Sequence, residues 1–463
     1  MVAISSGFGS GDPVATRTSR AATHPDRPAR RLALLLLVTT AAIALFPTTA
    51  SAFSSRGPLS SDQRAAVERI SALKLALSER LAAQGYKFEP SPRQWARLTQ
   101  KLLTPGSVVK VVAFGGSVTV GYRYSKTSYP EQFVEWLRTS FPGVDFELTN
   151  MARRATAATF AALCLVQDMP EDADLVVVEY SINGYGGQCQ CFTAPQNAGY
   201  ETLIRRILKR SPQAAMMTFA AFMWLDKKGE REVYYNTGED QHAVIARRYG
   251  IPMMSVRDSL YDVMFDPGNH YRINRSEILV DIVHVSDHGA KLYASYLAWG
   301  LRRQALRMIK HHGSRLEAAA AAPPAPMVAP LNRDAAMEDW PTFCAEGEGL
   351  QKVVAPSGEG AWQWVDEGSS ACPGCHKYGF ASKEVGAYLD IDVNSDVLST
   401  QDKEADATVM LALSFLKSYS DMGKVRVSCK SGCTCKEVVM DAKNKTPTSE
   451  LHTERMPISP HPQ

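Results

Sequence analysis

Apart from residues 32–46, the chain has no stretch long and apolar enough to span a membrane, and that run is shorter than the ~20 residues a spanning helix needs. Charge of one sign is also missing. The formal net charge is +3, and residues 1–52 account for all of it, with Arg17, Arg20, Arg27, Arg30 and Arg31 set against Asp12 and Asp26. The remainder is formally neutral, which removes any global electrostatic argument for a nucleic-acid partner. The cysteines lack the paired spacing that closes a four-ligand zinc site, so no metal is expected.

What is present is an ordinary globular composition, 45% hydrophobic and 21% charged over 463 residues, enough for two or three domains. In residues 1–52, Arg30 and Arg31 precede the apolar run Leu32 to Phe46, and Ala50-Ser51-Ala52 is a small-x-small cleavage site. This reads as an export signal, which puts the chain in the secretory pathway or outside the cell. An uncleaved signal anchor, the one route to a membrane here, and a bipartite organelle leader are the alternatives. Nine cysteines in an exported chain imply disulfides and one leftover thiol. They cluster as Cys164, Cys189 and Cys191, then Cys344, Cys372 and Cys375, then Cys429, Cys433 and Cys435, with connectivity open. The last cluster reads as a cross-linked turn. Asn274 and Asn444 head glycosylation triplets.

Helical spacing predicts a leading amphipathic helix over 64–84 and a shorter one over 95–103, within an N-terminal lead-in of residues 53–104. From 105 to 312, strands at 108–114, 144–149, 173–180, 214–222 and 252–255 alternate with helices at 129–141, 156–167, 199–210, 242–249 and 288–312. Such alternation implies a parallel sheet covered by helices on both faces, a three-layer α/β/α flavodoxin-like domain. Residues 313–334 contain the Ala/Pro tether LEAAAAAPPAPMVAP. Residues 335–442 then read as a small cysteine-containing β-sandwich, with strands at 361–365, 386–393, 408–416, 424–429 and 437–440, and 443–463 as a flexible tail.

The chemistry concentrates at Val108 to Tyr122, VVKVVAFGGSVTVGY, where a buried strand breaks at Gly115-Gly116 and presents Ser117 at its carboxyl end. The Gly-x-Ser-x-Gly elbow of the α/β-hydrolases is not met, because position 119 is Thr. Asp281-Ile-Val-His284 stands just before the last helix of the unit. One loop then supplies an imidazole to take a serine proton and a carboxylate to orient it. Asn183 follows the third strand and Ala155 the second, both at strand exits.

Ser117, Ala155, Asn183 and the Asp281/His284 pair, in that order, resemble the four blocks of the SGNH (GDSL-type) hydrolases over roughly residues 105–312. The resemblance implies a serine esterase with Ser117 as nucleophile, His284 as general base and Asp281 as its orienting carboxylate. It implies an oxyanion hole from the Ser117 N–H, the Ala155 N–H and the Asn183 amide, and no cofactor. Hydrolysis of an acetyl or other acyl ester on a carbohydrate or polysaccharide is expected, with carbohydrate or a small ester as the partner. Acyl transfer by the same triad and a non-catalytic glycan-binding relative are the alternatives. The chain departs from the family with Gly116 for Asp, Ala155 for Gly, and Gly184 where Asp often follows the asparagine. A backbone N–H survives at Ala155 provided that position does not need φ > 0. Arg153 and Arg154 are either solvated loop charges or a site for an acidic group. Cys372-Pro-Gly-Cys375-His376 matches a c-type haem attachment pattern, but its loop-like flanks favour a disulfide.

Overall fold

The computed structural model describes residues 58–460, except 122–124, 184–191, 193, 225–233, 236, 267, 333–334, 336–338, 340, 355–361, 367–375, 394–408 and 446–448. The leader with its cleavage site, Gly184, and Cys189, Cys191, Cys372 and Cys375 lie outside the described residues. Five parallel strands, β1 (Val108–Gly115), β2 (Asp145–Asn150), β3 (Leu175–Glu179), β4 (Ala215–Ala220) and β5 (Met253–Ser255), pair in the order β2-β1-β3-β4-β5. This is the flavodoxin-like order. It reverses direction between β1 and β3, where ligands of doubly wound sheets bind beyond the strand ends.

The helices of this unit are α1 (Ser61–Ser71), α2 (Glu79–Gln84), α3 (Pro92–Leu103), α4 (Ser117–Val120), α5 (Tyr129–Ser140), α6 (Ala158–Phe160), α7 (Pro195–Arg210), α8 (Glu239–Arg248), α9 (Val256–Met264), α10 (Arg275–Ile278), α11 (Asp287–His312) and α12 (Leu316–Ala321). Because strand side chains alternate, β1 sends Val109 and Val111 to one face, and Val112 and Phe114 to the other. The first face packs under Trp95 of α3, Phe133 of α5 and Tyr293 of α11. The second packs under Leu203 and Ile207 of α7 and Ile245 of α8. Each such side chain, wholly buried, contributes about 1.5–3 kcal/mol.

The helix expected over 64–84 is two helices. Between them the freed backbone groups are taken by side chains of other elements: Arg302 donates to Leu73 O, Trp136 Nε1 to Lys74 O, and Ala76 N–H donates to Ser295 Oγ. Ser78 then caps α2 through Leu81 N–H. Helical periodicity over 156–167 is also divided, with α6 running into a π turn at Ala161–Leu165 and a 3-10 turn at Val166–Asp168.

The Ala/Pro stretch is held along α7 and α8. Glu201 accepts from Leu331 N–H, Asn332 N–H and the Asn332 amide, while Arg205 donates to Val328 O and Arg248 to Ala329 O. Beyond it come α13 (Glu348–Gln351) and the strands β6 (Gln363–Asp366), β7 (Tyr378–Ala381), β8 (Val409–Lys417), β9 (Lys424–Val427), β10 (Cys433–Cys435), β11 (Val438–Asp441) and β12 (Glu450–Pro460). They form antiparallel sheets β10-β12-β8, β11-β9 and β6-β7. Their small core holds Leu350, Trp362, Phe380, Phe415 and Met440. The strand expected at 386–393 is reduced to a single bridge between Val354 and Ile391. The tail expected to fray after Lys443 instead contains β12, paired with β8 from Glu450↔Lys417 to Ile458↔Val409. Its polar composition and prolines hid a strand that a nine-residue partner stabilises.

Disulfides join Cys164 to Cys344 and Cys429 to Cys435, and Cys433 is a free thiol. No helix among the described residues is long and apolar enough to cross a membrane.

Candidate active site

At the carboxyl end of β1 the chain turns through Gly116 directly into α4, whose first residue is Ser117. Gly116 lies against the Asn183 side chain: a Cβ there would lie 2.2 Å from Asn183 Oδ1 and 2.9 Å from its Cγ, so a larger residue would have to displace that amide.

Residues 279–285 form a tight loop closed by a bridge between Leu279 and Val285 and by Val280 N–H donating to His284 O at 2.9 Å. Trp224 N–H, just past β4, donates to Ile282 O at 2.7 Å and pins the loop tip to the sheet. Behind it, Ser286 caps α11, and Gly289 packs so closely on Ile278 O that a Cβ would sit 2.3 Å from it. The glycine five residues after His284 is thus a packing requirement.

This scaffold brings together Ser117, His284 and Asp281. His284 Nδ1 lies 2.7 Å from Asp281 Oδ2, and its Nε2 lies 2.8 Å from Ser117 Oγ. With the Nδ1–H tautomer assigned from this network, the imidazole donates to the carboxylate and accepts from the serine hydroxyl. Asp281 Oδ1 also accepts from the N–H groups of Val283 and His284. Partial burial pushes the Asp281 carboxyl upward, but the hydrogen bonds from the His284 ring and these two amides outweigh it and hold the group at about 2. It stays ionised at any working pH. Asp281 is open to solvent, with 40% of its side chain exposed, whereas the His284 ring is largely covered, with 15% exposed.

Beside the serine, the loop after β2 continues the strand pairing, with Met151 N–H donating to Ala113 O and Arg153 N–H to Gly115 O. Asn150 donates its amide to Thr119 O, and Arg154 donates to Gly121 O, so the loop is tied to the serine turn at both ends. The N–H groups of Ser117 and Ala155 donate to nothing among the described residues. Ala155 has φ +61°. This position does need the left-handed region that glycine reaches freely, and alanine occupies it at a cost of about 1–2 kcal/mol. Since the residue already sits where glycine would, Ala155→Gly is expected to leave kcat within about twofold. Relief of the strain, offset by about 0.4–1 kcal/mol of added freedom in the unfolded chain, raises stability by up to about 1.5 kcal/mol. Thermal melting alongside steady-state kinetics checks both halves.

One titratable group near this site has no expected role from sequence. Glu179, the last residue of β3, is fully buried, with Oε1 accepting from the N–H and hydroxyl of Ser181 and Oε2 lacking a partner. Burial pushes its carboxyl up from 4.5 to about 7, against the hydrogen bonds from Ser181 and Ala221 that lower it. Between pH 4.5 and 7 the unfolded chain therefore releases a proton that the folded chain keeps. Stability falls over that window by roughly 3 kcal/mol and is flat above it. Glu179→Gln is expected to abolish this decline, so that its melting-temperature advantage over the parent is larger at pH 8 than at pH 5. A single glutamate in the otherwise apolar run LVVVEY was the visible signal.

Arg153 is exposed, whereas Arg154 is half-buried against Gly121. His376 Nδ1 bonds Asp366 at 2.8 Å and its ring stacks on Tyr378. Among the described residues no group of three or more His, Cys, Asp or Glu side chains is arranged to hold a metal. Asn274 is exposed and caps α10, while Asn444 is buried and closed as an acceptor in the folded chain.

No family model matches the chain, and no curated protein sequence matches it. Solved structures do. A two-domain esterase (CEX) active on acetylated mannans superposes with a TM-score of 0.51 at 17% identity, covering 82% of this chain and 94% of that one. The same esterase co-crystallised with mannopentaose gives 0.49 at 16% identity, with the same coverages. An acetyl xylan esterase, AlAXEase, covers 41% of this chain and 98% of its own, with a TM-score of 0.33 and 17% identity. The parallel sheet and the trailing antiparallel sheets together give this chain the overall fold of that two-domain structure.

Proposed function

We propose that the protein is a serine esterase that removes acyl groups, acetyl foremost, from a carbohydrate polymer. The observation that carries this reading is the continuous relay from Asp281 through His284 to Ser117 Oγ, beside two unengaged backbone N–H groups. Ser117 Oγ attacks the ester carbonyl while His284 Nε2 takes its proton. The developing oxyanion is met by the N–H groups of Ser117 and Ala155 and by the Asn183 amide, which together preorganise the charge. His284 returns the proton to the departing sugar oxygen, leaving an acyl-serine. Water then attacks this ester, His284 takes the water's proton, and the carboxylic acid leaves as Ser117 is reprotonated. Asp281 remains ionised throughout and stabilises the imidazolium.

The substrate class is supported by the neighbour's action on acetylated mannans and by the openness of the site. A half-exposed Asp281 carboxylate at the edge of the site suits an ester carried on a long chain that lies across the surface. The site residues sit at the switch point of the sheet, where this architecture places ligands. Export agrees with the Cys164–Cys344 disulfide, which calls for an oxidising compartment. Residues 1–52 would supply the signal and 105–312 the hydrolase unit, and the β-rich unit would run from residue 335 through β12. Acetate release from acetylated mannan by the parent chain, and its loss in Ser117→Ala, tests the reading. Release that is unaffected by the substitution overturns it.

A further inference from the structure

The left-handed Ala155 raises the question of what holds it there, and the strand that answers lies at the other end of the sequence. Leu451, the second residue of β12, donates its N–H to Ala155 O at 2.6 Å. Its side chain is 3% exposed and packs in the core of the α/β unit, on the face with Phe114, Met151 and Phe160, not in the small core of the β-rich part. The same peptide unit is gripped from its other side, where Thr156 N–H donates to Arg153 O and Thr156 Oγ1 bonds the same oxygen. The two peptide planes flanking Ala155 are related by its φ and ψ alone. Pinning the plane that carries its carbonyl therefore constrains the plane that carries its N–H.

We propose that β12, through Leu451, is a positioning element of the oxyanion pocket: it holds Ala155 in a conformation that a residue with a Cβ otherwise avoids. The inference rests on Ala155 being an oxyanion donor. It explains how this chain tolerates alanine where the resembled family has glycine. It also gives the β-rich part a role in the chemistry of the first unit, separate from any binding of its own.

Leu451→Pro removes the N–H, and Leu451→Ala keeps it while losing nearly the same side-chain packing. A strand edge that faces away from its neighbour tolerates proline. Both are compared in the parent and in Ala155→Gly, using kcat and KM for p-nitrophenyl acetate, with melting curves confirming the fold. In the parent, Leu451→Pro is expected to have about tenfold lower kcat than Leu451→Ala, about 1.4 kcal/mol of transition-state binding, with KM within twofold. In the Ala155→Gly background the gap is expected to shrink below twofold, because glycine needs no external hold. Equal kcat for the two variants in the parent, or a gap that persists with glycine, overturns the proposal. If Leu451→Pro does not fold, Leu451→Asp carries the test, since a carboxylate driven into that core displaces the strand end. Its kcat must fall and be restored by Ala155→Gly, and a fall without restoration overturns the proposal. Ser117→Ala is run in parallel. Activity surviving there refutes the esterase reading itself, whereas its loss with no Leu451 effect refutes this inference alone.

Discussion

Replacing Ser117 with alanine is expected to lower kcat for ester hydrolysis by at least about 10⁴-fold while leaving the melting temperature within a few degrees. The side chain stands at the end of β1, its hydroxyl bonded to His284 Nε2 at 2.8 Å, and contributes little packing. His284→Ala is expected to cost about as much, because without the imidazole the hydroxyl is a weak nucleophile. The two losses do not add. Groups that act as one unit are strongly non-additive, and the double variant is expected to match the slower single variant within a few-fold. Steady-state kinetics on p-nitrophenyl acetate measures all three, and a double variant slower by another factor of about 10³ would show that the two residues act separately.

The second large effect is at Asp281. Asp281→Asn keeps the shape, and its Oδ1 still accepts from the Val283 and His284 amides, so the loop is expected to stay in place. The amide N–H₂ now faces His284 Nδ1, which must become the acceptor. The ring proton then moves to Nε2 and points at Ser117, where a base is needed. The corresponding change in other Ser-His-Asp sites costs about 10⁴ in kcat with geometry intact, and a loss on that order is expected here. Asp281→Ala should cost no more for the chemistry but more for stability, because two loop amides lose their acceptor. Comparing kcat and melting temperature across the two variants separates the orienting role from the structural one.

Much of the α/β unit was legible because its signals are local. The β-branched runs of β1 and β3, buried on both faces, read as strands without ambiguity, and Ser117 and Asn183 could be placed on strand exits and the Asp281/His284 pair just before the last helix of the unit. Elements whose conformation depends on distant partners were not legible. The break between α1 and α2 follows from Arg302, Trp136 and Ser295 reaching into residues 73–76. β12 is polar and carries Pro457, and becomes a strand through its register with β8. The left-handed Ala155 could be posed from sequence as a condition but not decided, since alanine carries no mark of positive φ and its hold comes from Leu451. Gly116 is instructive in the same way. Its sequence showed a departure from the resembled family, and the structure showed what stands beside it, the Asn183 amide in the space a side chain would enter.

Hydrolysis by this site requires that Ser117 become acylated. The direct measurement is peptide mapping by mass spectrometry of the chain quenched with acid during turnover of p-nitrophenyl acetate, in the parent and in His284→Ala. An acetyl group on the peptide that contains Ser117, formed in the parent and far slower in His284→Ala, is the result predicted. Turnover that continues with the acetyl group on another residue, or with none on Ser117, would contradict it.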